Sequence, residues 1–342
     1  MTSQADLVAQ AVLQQFYKLP SKRKPAVRDN GVHEWVPLSG IVAEKDGILT
    51  CLALATGMKC LPASKISQSN GVGIHDWHAE VLAMRTFNRF LLDECENILD
   101  RDDESSILQK KTSDSNLNDT PLKLFEIKDG VKLHMYCSEA PCGDASMELT
   151  MASQEDDSAW ETPTPVNAKP VGDAQISLLG RACFSRTGIV RRKPARGDAP
   201  PTLSKSCSDK LALKQCASLL SAITSIFIDP TNAYISSIIL PRSQYSELAC
   251  RRAFSAEGRM NLMAGKKWLG GYSFREFSVA TTSLEFEFSK RSVQMRACFE
   301  ENLIGGVIQG RKAFKTDGAS RVSKRPLPLL QQFVLVVRHI TT

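Results

Sequence analysis

The sequence predicts an α/β fold, and three observations carry that prediction. Strand-like and helix-like segments alternate along the chain. Of its 342 residues, 42% are hydrophobic and 23% charged, the balance of a globular protein with a sizeable core. The segments are separated by polar, Pro-, Gly- and Ser-rich runs that read as turns and loops.

The elements follow in order. "DLVAQAVLQQFYKLP" (6–20) spaces its apolar residues as a short amphipathic helix. "GIVAEKDGILTCLALATG" (40–57) alternates, turns at Asp46-Gly47 and resumes, which predicts a hairpin. From His78, "HAEVLAMRTFNRFLLDECENIL" places Val81, Leu82, Phe87, Phe90 and Leu91 at helical spacing, so His78 and Glu80 fall in that helix's first turn. The acidic, Ser- and Asn-rich 100–120 run reads as a surface loop or insertion. "VKLHMYCSEAPCGDAS" predicts a strand over 131–137, a turn, and a second helix opening near Pro141-Cys142. The Pro-rich 152–174 run is another insertion. A third helix, capped by Ser206 or Ser208, spans 206–224, and a strand covers 234–240. No internal repeat is present.

Charge is uneven around a net +6. Residues 93–119 hold nine acids and three bases, whereas 181–216 hold nine bases and two acids. The basic run suggests a polyanion, with nucleic acid first, against the alternative of a solvated basic face. No signal peptide or membrane span is apparent, which points to a cytoplasmic or nuclear protein that is not secreted. Ten cysteines in such a chain read as reduced thiols. Cys51, Cys60, Cys137, Cys183, Cys216 and Cys298 have the apolar or mixed surroundings of small core residues. Cys142 and Cys207 stand apart in polar Ser/Asp/Gly contexts.

A hydrolytic zinc site needs three protein ligands and an open position for water. Helix starts suit thiolates, because the dipole lowers the thiol pKa, and His78, Cys142 and Cys207 are each predicted near one. Zinc lowers the pKa of its water towards ~7. Glu80, two residues beyond a ligand, could then move the proton as general base and acid. Nucleobase deaminases carry H-x-E followed by P-C-x-x-C. This chain has "HAE" and "PC", but Ala145 stands where the second cysteine belongs. Either the site is dead or a remote cysteine completes it.

Together, "HAE", "PCGDAS" and "SCSDKLA" resemble the deaminase domain of the eukaryotic adenosine deaminases acting on RNA, most closely the tRNA-specific branch. The resemblance implies a cytidine-deaminase-like three-layer α/β core with a mixed sheet and additional surrounding helices. It makes Cys207 the third zinc ligand and Glu80 the proton shuttle. The implied reaction is adenosine-to-inosine deamination, at the adenosine 3′ of the anticodon in alanine tRNA. An anticodon-loop base is already largely unpaired and avoids the cost of flipping from a duplex. Lys59, Arg191, Arg192 and Arg196 match RNA-contacting regions. Arg85, Lys210 and Lys324 match cations around a buried inositol hexakisphosphate, and Asp76 and Lys193 a relay from it to zinc.

Residues 1–39 then form an N-terminal helix and lead-in, 40–325 the deaminase domain, and 326–342 a tail unlike the family's lysine- and tyrosine-bearing C-terminal helix. Met84 and Leu213 replace arginines of the editors. The atypical tail makes the inositol phosphate doubtful and keeps a non-catalytic RNA-binding protein as an alternative, beside an mRNA-type editor. A free-nucleoside deaminase has no use for the basic run.

Overall fold

The computed structural model describes residues 2–26, 34–100, 105–111, 123–152, 178–180, 186–194 and 199–294. In chain order, helix α1 (Gln4–Tyr17) precedes strands β1 (Leu38–Lys45), β2 (Ile48–Thr56), β3 (Met58–Cys60) and β4 (Asp76–His78). Helix α2 (Ala79–Asp100) leads to β5 (Leu108–Lys110), β6 (Phe125–Ile127) and β7 (Lys132–Cys137). There follow α3 (Met147–Ala152), β8 (Leu178–Leu179), β9 (Arg191–Arg192), α4 (Cys207–Ala217), α5 (Thr224–Phe227) and β10 (Ile235–Pro241). Helix α6 (Glu247–Phe254), β11 (Ser278–Thr282) and α7 (Lys290–Gln294) complete the described part.

The main sheet has the order β11-β10-β7-β1-β2. Pairs β2/β1 and β1/β7 are antiparallel, and β7/β10 and β10/β11 parallel, so the sheet is mixed as expected. Asp46 and Gly47 both take positive φ (50° and 77°), the geometry that a two-residue hairpin between twisted strands demands. Strand alternation then builds two cores. Ile41, Ala43, Leu133, Met135, Ile238 and Leu240 face α2 and α4 on one side. Leu38, Val42, Tyr136 and Ile239 face α1 on the other, where Phe16 meets the Phe286 ring edge-on at 4.9 Å. Helix, sheet and helix make the three layers.

Several boundaries depart from the sequence reading. The 100–120 run is not all loop, because β5 pairs with β6 there. The third helix stops at Ala217, where Ser218 turns to positive φ (55°). Cys137 is buried as expected and Cys51 and Cys216 are half-buried. Cys183, Cys298, Arg196, Lys324, the 326–342 tail and nearly all of 152–174 lie outside the described residues.

Candidate active site

Three segments meet at one end of the sheet. The first is the β3/β4 ladder, which pairs Met58 with His78 and Cys60 with Asp76. His78 is the last residue of β4 and not part of the helix's first turn as expected. Glu80, one residue into α2, is buried. The second segment leaves β7 and turns at Pro141-Cys142-Gly143. Cys142 precedes a helix that opens only after residue 143, since Gly143 has φ 105°, which no helix accommodates. The third is the start of α4. Ser206 caps it by accepting the Asp209 N–H at 3.1 Å, and Cys207 is its first residue.

The second and third segments are zipped together. Ser208 donates its backbone N–H to the Cys142 carbonyl at 3.0 Å and its hydroxyl to the Pro141 carbonyl at 2.9 Å. The Ser208 Oγ accepts the Ala145 N–H at 3.1 Å, and the Cys207 N–H points to the Cys142 Sγ at 3.4 Å. Gly143 makes this approach possible, since a Cβ there would lie 2.3 Å from the Ser206 Oγ. Two ion pairs lock both segments to the α6 region: Arg252 to Asp144 at 3.1 Å and Arg259 to Asp209 at 2.6 Å.

The consequence is a convergence of donors. One ligand atom each from His78, Cys142 and Cys207 lies within 4.8 Å of the others. The His78 Nδ1 to Cys142 Sγ distance is 3.8 Å. Tetrahedral coordination at Zn–N ~2.0 Å and Zn–S ~2.3 Å sets its donors roughly 3.5–3.8 Å apart, so the set fits such an ion. Hydrogen bonding from Cys207, aided by Lys193 and His78, pulls the Cys142 thiol well below the ordinary range. Burial pushes the Glu80 carboxyl above its ordinary value.

Behind the donors lies a buried charge cluster. Lys193 Nζ sits 3.0 and 2.9 Å from the two Asp76 carboxylate oxygens and 3.1 Å from the Cys207 Sγ. Lys210 also pairs with Asp76. Burial would raise the Asp76 pKa, but Lys193, with His78 and Lys210, drives it far below the carboxylate range. Arg85 is half-buried on α2, where burial lowers its pKa against the pull of Asp76.

Other predicted residues fall differently. Lys59 is exposed on β3, and Arg192 is half-buried on β9. Arg191 corrects its expected role, because its guanidinium is buried and donates to the Gly180 and Arg186 carbonyls at 3.2 and 2.6 Å. It ties Gly180 and Arg186 together from inside the protein and does not present a surface charge. Cys60 departs from the expected core role: it is half-buried and its thiol hydrogen-bonds the His78 side chain. The signal was the "MKC" strand preceding the ligand strand. Ser208 serves not as the helix cap but as a bridge, and its bonds to the Cys142 segment have no local sequence signature.

Comparison with known proteins agrees with this geometry. Residues 53–342 match the adenosine-deaminase (editase) domain. The chain is 39% identical to tRNA-specific adenosine deaminase 1 of Schizosaccharomyces pombe, over 83% of this chain and 70% of that protein. It is 34% identical to the Saccharomyces cerevisiae protein of the same name, over 68% of this chain and 58% of that one. Double-stranded RNA-specific editase B2 of Mus musculus is 28% identical over 69% of this chain and 30% of its own length. With the match covering most of the chain, and the histidine and two cysteines gathered at one place, this chain belongs to the adenosine-deaminase (editase) domain family.

Proposed function

We propose that the chain is a zinc-dependent hydrolase converting adenosine to inosine in tRNA, at the adenosine 3′ of the anticodon of alanine tRNA. The observation that carries this reading is the His78–Cys142–Cys207 donor set with a buried carboxylate two residues from its histidine. His78, Cys142 and Cys207 would hold the ion, which when bound supplies an acidified water.

The chain's own residues supply the rest. Glu80 lies near the donors in a buried setting that favours its protonated form, so it can take a proton and return it to the departing amine nitrogen. Such transfer is worth roughly 10²–10⁴ in rate. Lys193, held between Asp76 and the Cys207 sulfur, fixes that sulfur in place. Lys59, exposed on the strand paired with the one that carries His78, would contact an RNA phosphate. Arg85 and Lys210 offer charge for the inositol hexakisphosphate, although Lys210 is already engaged by Asp76.

The relatives named for tRNA deamination favour tRNA over duplex RNA as substrate. The test is metal analysis with an inosine assay on alanine tRNA and on duplex RNA. Glu80→Gln should lose about 10²–10⁴ in rate while retaining metal and tRNA. Full activity in that variant would overturn the mechanism, and activity on duplex RNA alone would reassign the substrate.

A further inference from the structure

Past α6, residues 259–275 read "RMNLMAGKKWLGGYSFR", with four bases and no acid. Arg259 is held by Asp209 on α4, and residues 266–274 beyond it fold into a braced hairpin. Trp268 donates its N–H to the Tyr272 carbonyl at 2.8 Å, and Phe274 donates to the Lys266 carbonyl at 2.9 Å. Gly270 and Gly271 turn its tip with φ 75° and 85°. Lys123 reaches the Gly270 carbonyl at 2.6 Å while lying over the Tyr272 ring, 5.3 Å from its centroid. Met263 and Phe274 anchor the base against the main core.

What the hairpin presents is unusual for a soluble surface. Leu269 is 96% exposed and Trp268 42%, beside exposed Lys266, Lys267 and Arg275. The nearby acid Asp229 is neutralised by Lys111 at 2.6 Å. Glu276, exposed, is the acid that follows. A rigid indole flanked by cations suits a base to stack on and phosphates to pair with. A purely apolar partner would leave three charges to be desolvated.

We propose that this hairpin is a second RNA-binding surface, which holds bases and phosphates of the tRNA outside the anticodon loop. The proposal rests on the tRNA reading above. Placement supports it, because Arg275 donates its N–H to the carbonyl of Gln215 on α4 at 2.8 Å. Gln215 lies eight residues along the helix that begins at Cys207, or about 12 Å. A single folded RNA can therefore meet both places.

The test uses the zinc-loaded full chain, with anisotropy of the full-length tRNA and of its isolated anticodon stem-loop. For Trp268→Ala, the Kd for full-length tRNA should rise about 5- to 150-fold. For the pair Lys266→Ala and Lys267→Ala, the slope of log affinity against log salt should fall by about 1.4–1.8. Stem-loop binding and the melting temperature should stay as in the parent. Unchanged affinity and slope in folded variants would overturn the proposal. So would dispersal of a self-associated species by Trp268→Ala with tRNA affinity intact, which would assign the hairpin to a protein contact. Absence of inosine in every RNA would count against the catalytic reading alone, since the binding comparison does not depend on turnover.

Discussion

Glu139, between β7 and the Cys142 turn, shows how one buried carboxyl ties stability to pH. Burial raises its pKa to about 7, with Glu285 and Glu80 adding to the rise and the Lys290 N–H and charge opposing it. The folded value lies above the ordinary 4.5, so the folded state holds its proton more tightly. Its contribution is therefore complete below about pH 4.5 and is lost as pH climbs through about 7. Chemical denaturation should show stability falling by about 3 kcal/mol across that window. Glu139→Gln should flatten the fall, and an equal slope in both proteins would refute the assignment. Lys193 is a second case. Replacement by Met leaves Asp76 paired with Lys210 and removes the cation beside Cys207. Because Lys210 stays paired with Asp76, the loss should fall below the about 3–5 kcal/mol of an uncompensated buried charge. Thermal melts should record that loss, and chelator competition should show weaker metal retention.

At the scale of elements, the site depends on how closely two segments approach. Gly143 passes against Ser206, so Gly143→Ala would force apart the turns that carry Cys142 and Cys207. The expected outcome is a folded protein with reduced bound metal by elemental analysis. Wild-type metal content would show that the zipper can yield. Helix α2 is tied to the loop after α4 by Asn88. Its amide donates to the Met84 and Leu219 carbonyls at 2.7 and 2.8 Å and accepts the Ser221 N–H at 2.6 Å. Asn88→Ala removes the Leu219 carbonyl's side-chain donor, at about 1–3 kcal/mol, while the Ser221 N–H keeps the Thr224 Oγ1 at 2.8 Å. A denaturant titration would measure it.

At the scale of the whole molecule, the sheet has two unequal coverings. The donors belong to the α2 and α4 side, whereas α1 closes the opposite face with Phe16 at its centre. Phe16→Ala should lower stability by about 3–5 kcal/mol. Metal content below the unfolding transition should be unaffected, because Phe16 lies on the far layer. The fold thus separates what stabilises the sheet from what builds the site.

The amino-acid sequence alone determined the elements and the motifs. Alternation and helical spacing report local burial, so the 40–57 hairpin, the helix after His78 and the 131–137 strand were legible residue by residue. The family resemblance of three short motifs supplied the ligand set. Only tertiary structure decided where the donors stand. His78, Cys142 and Cys207 are separated by more than sixty residues at each step, and their approach depends on Gly143, Ser206 and Ser208 fitting together. It also moved Arg191 from the surface to the interior and brought Cys60 to His78. The reason is physical: periodicity records which way a side chain faces, whereas a hydrogen bond between remote segments exists only once packing has brought its two ends within about 3 Å.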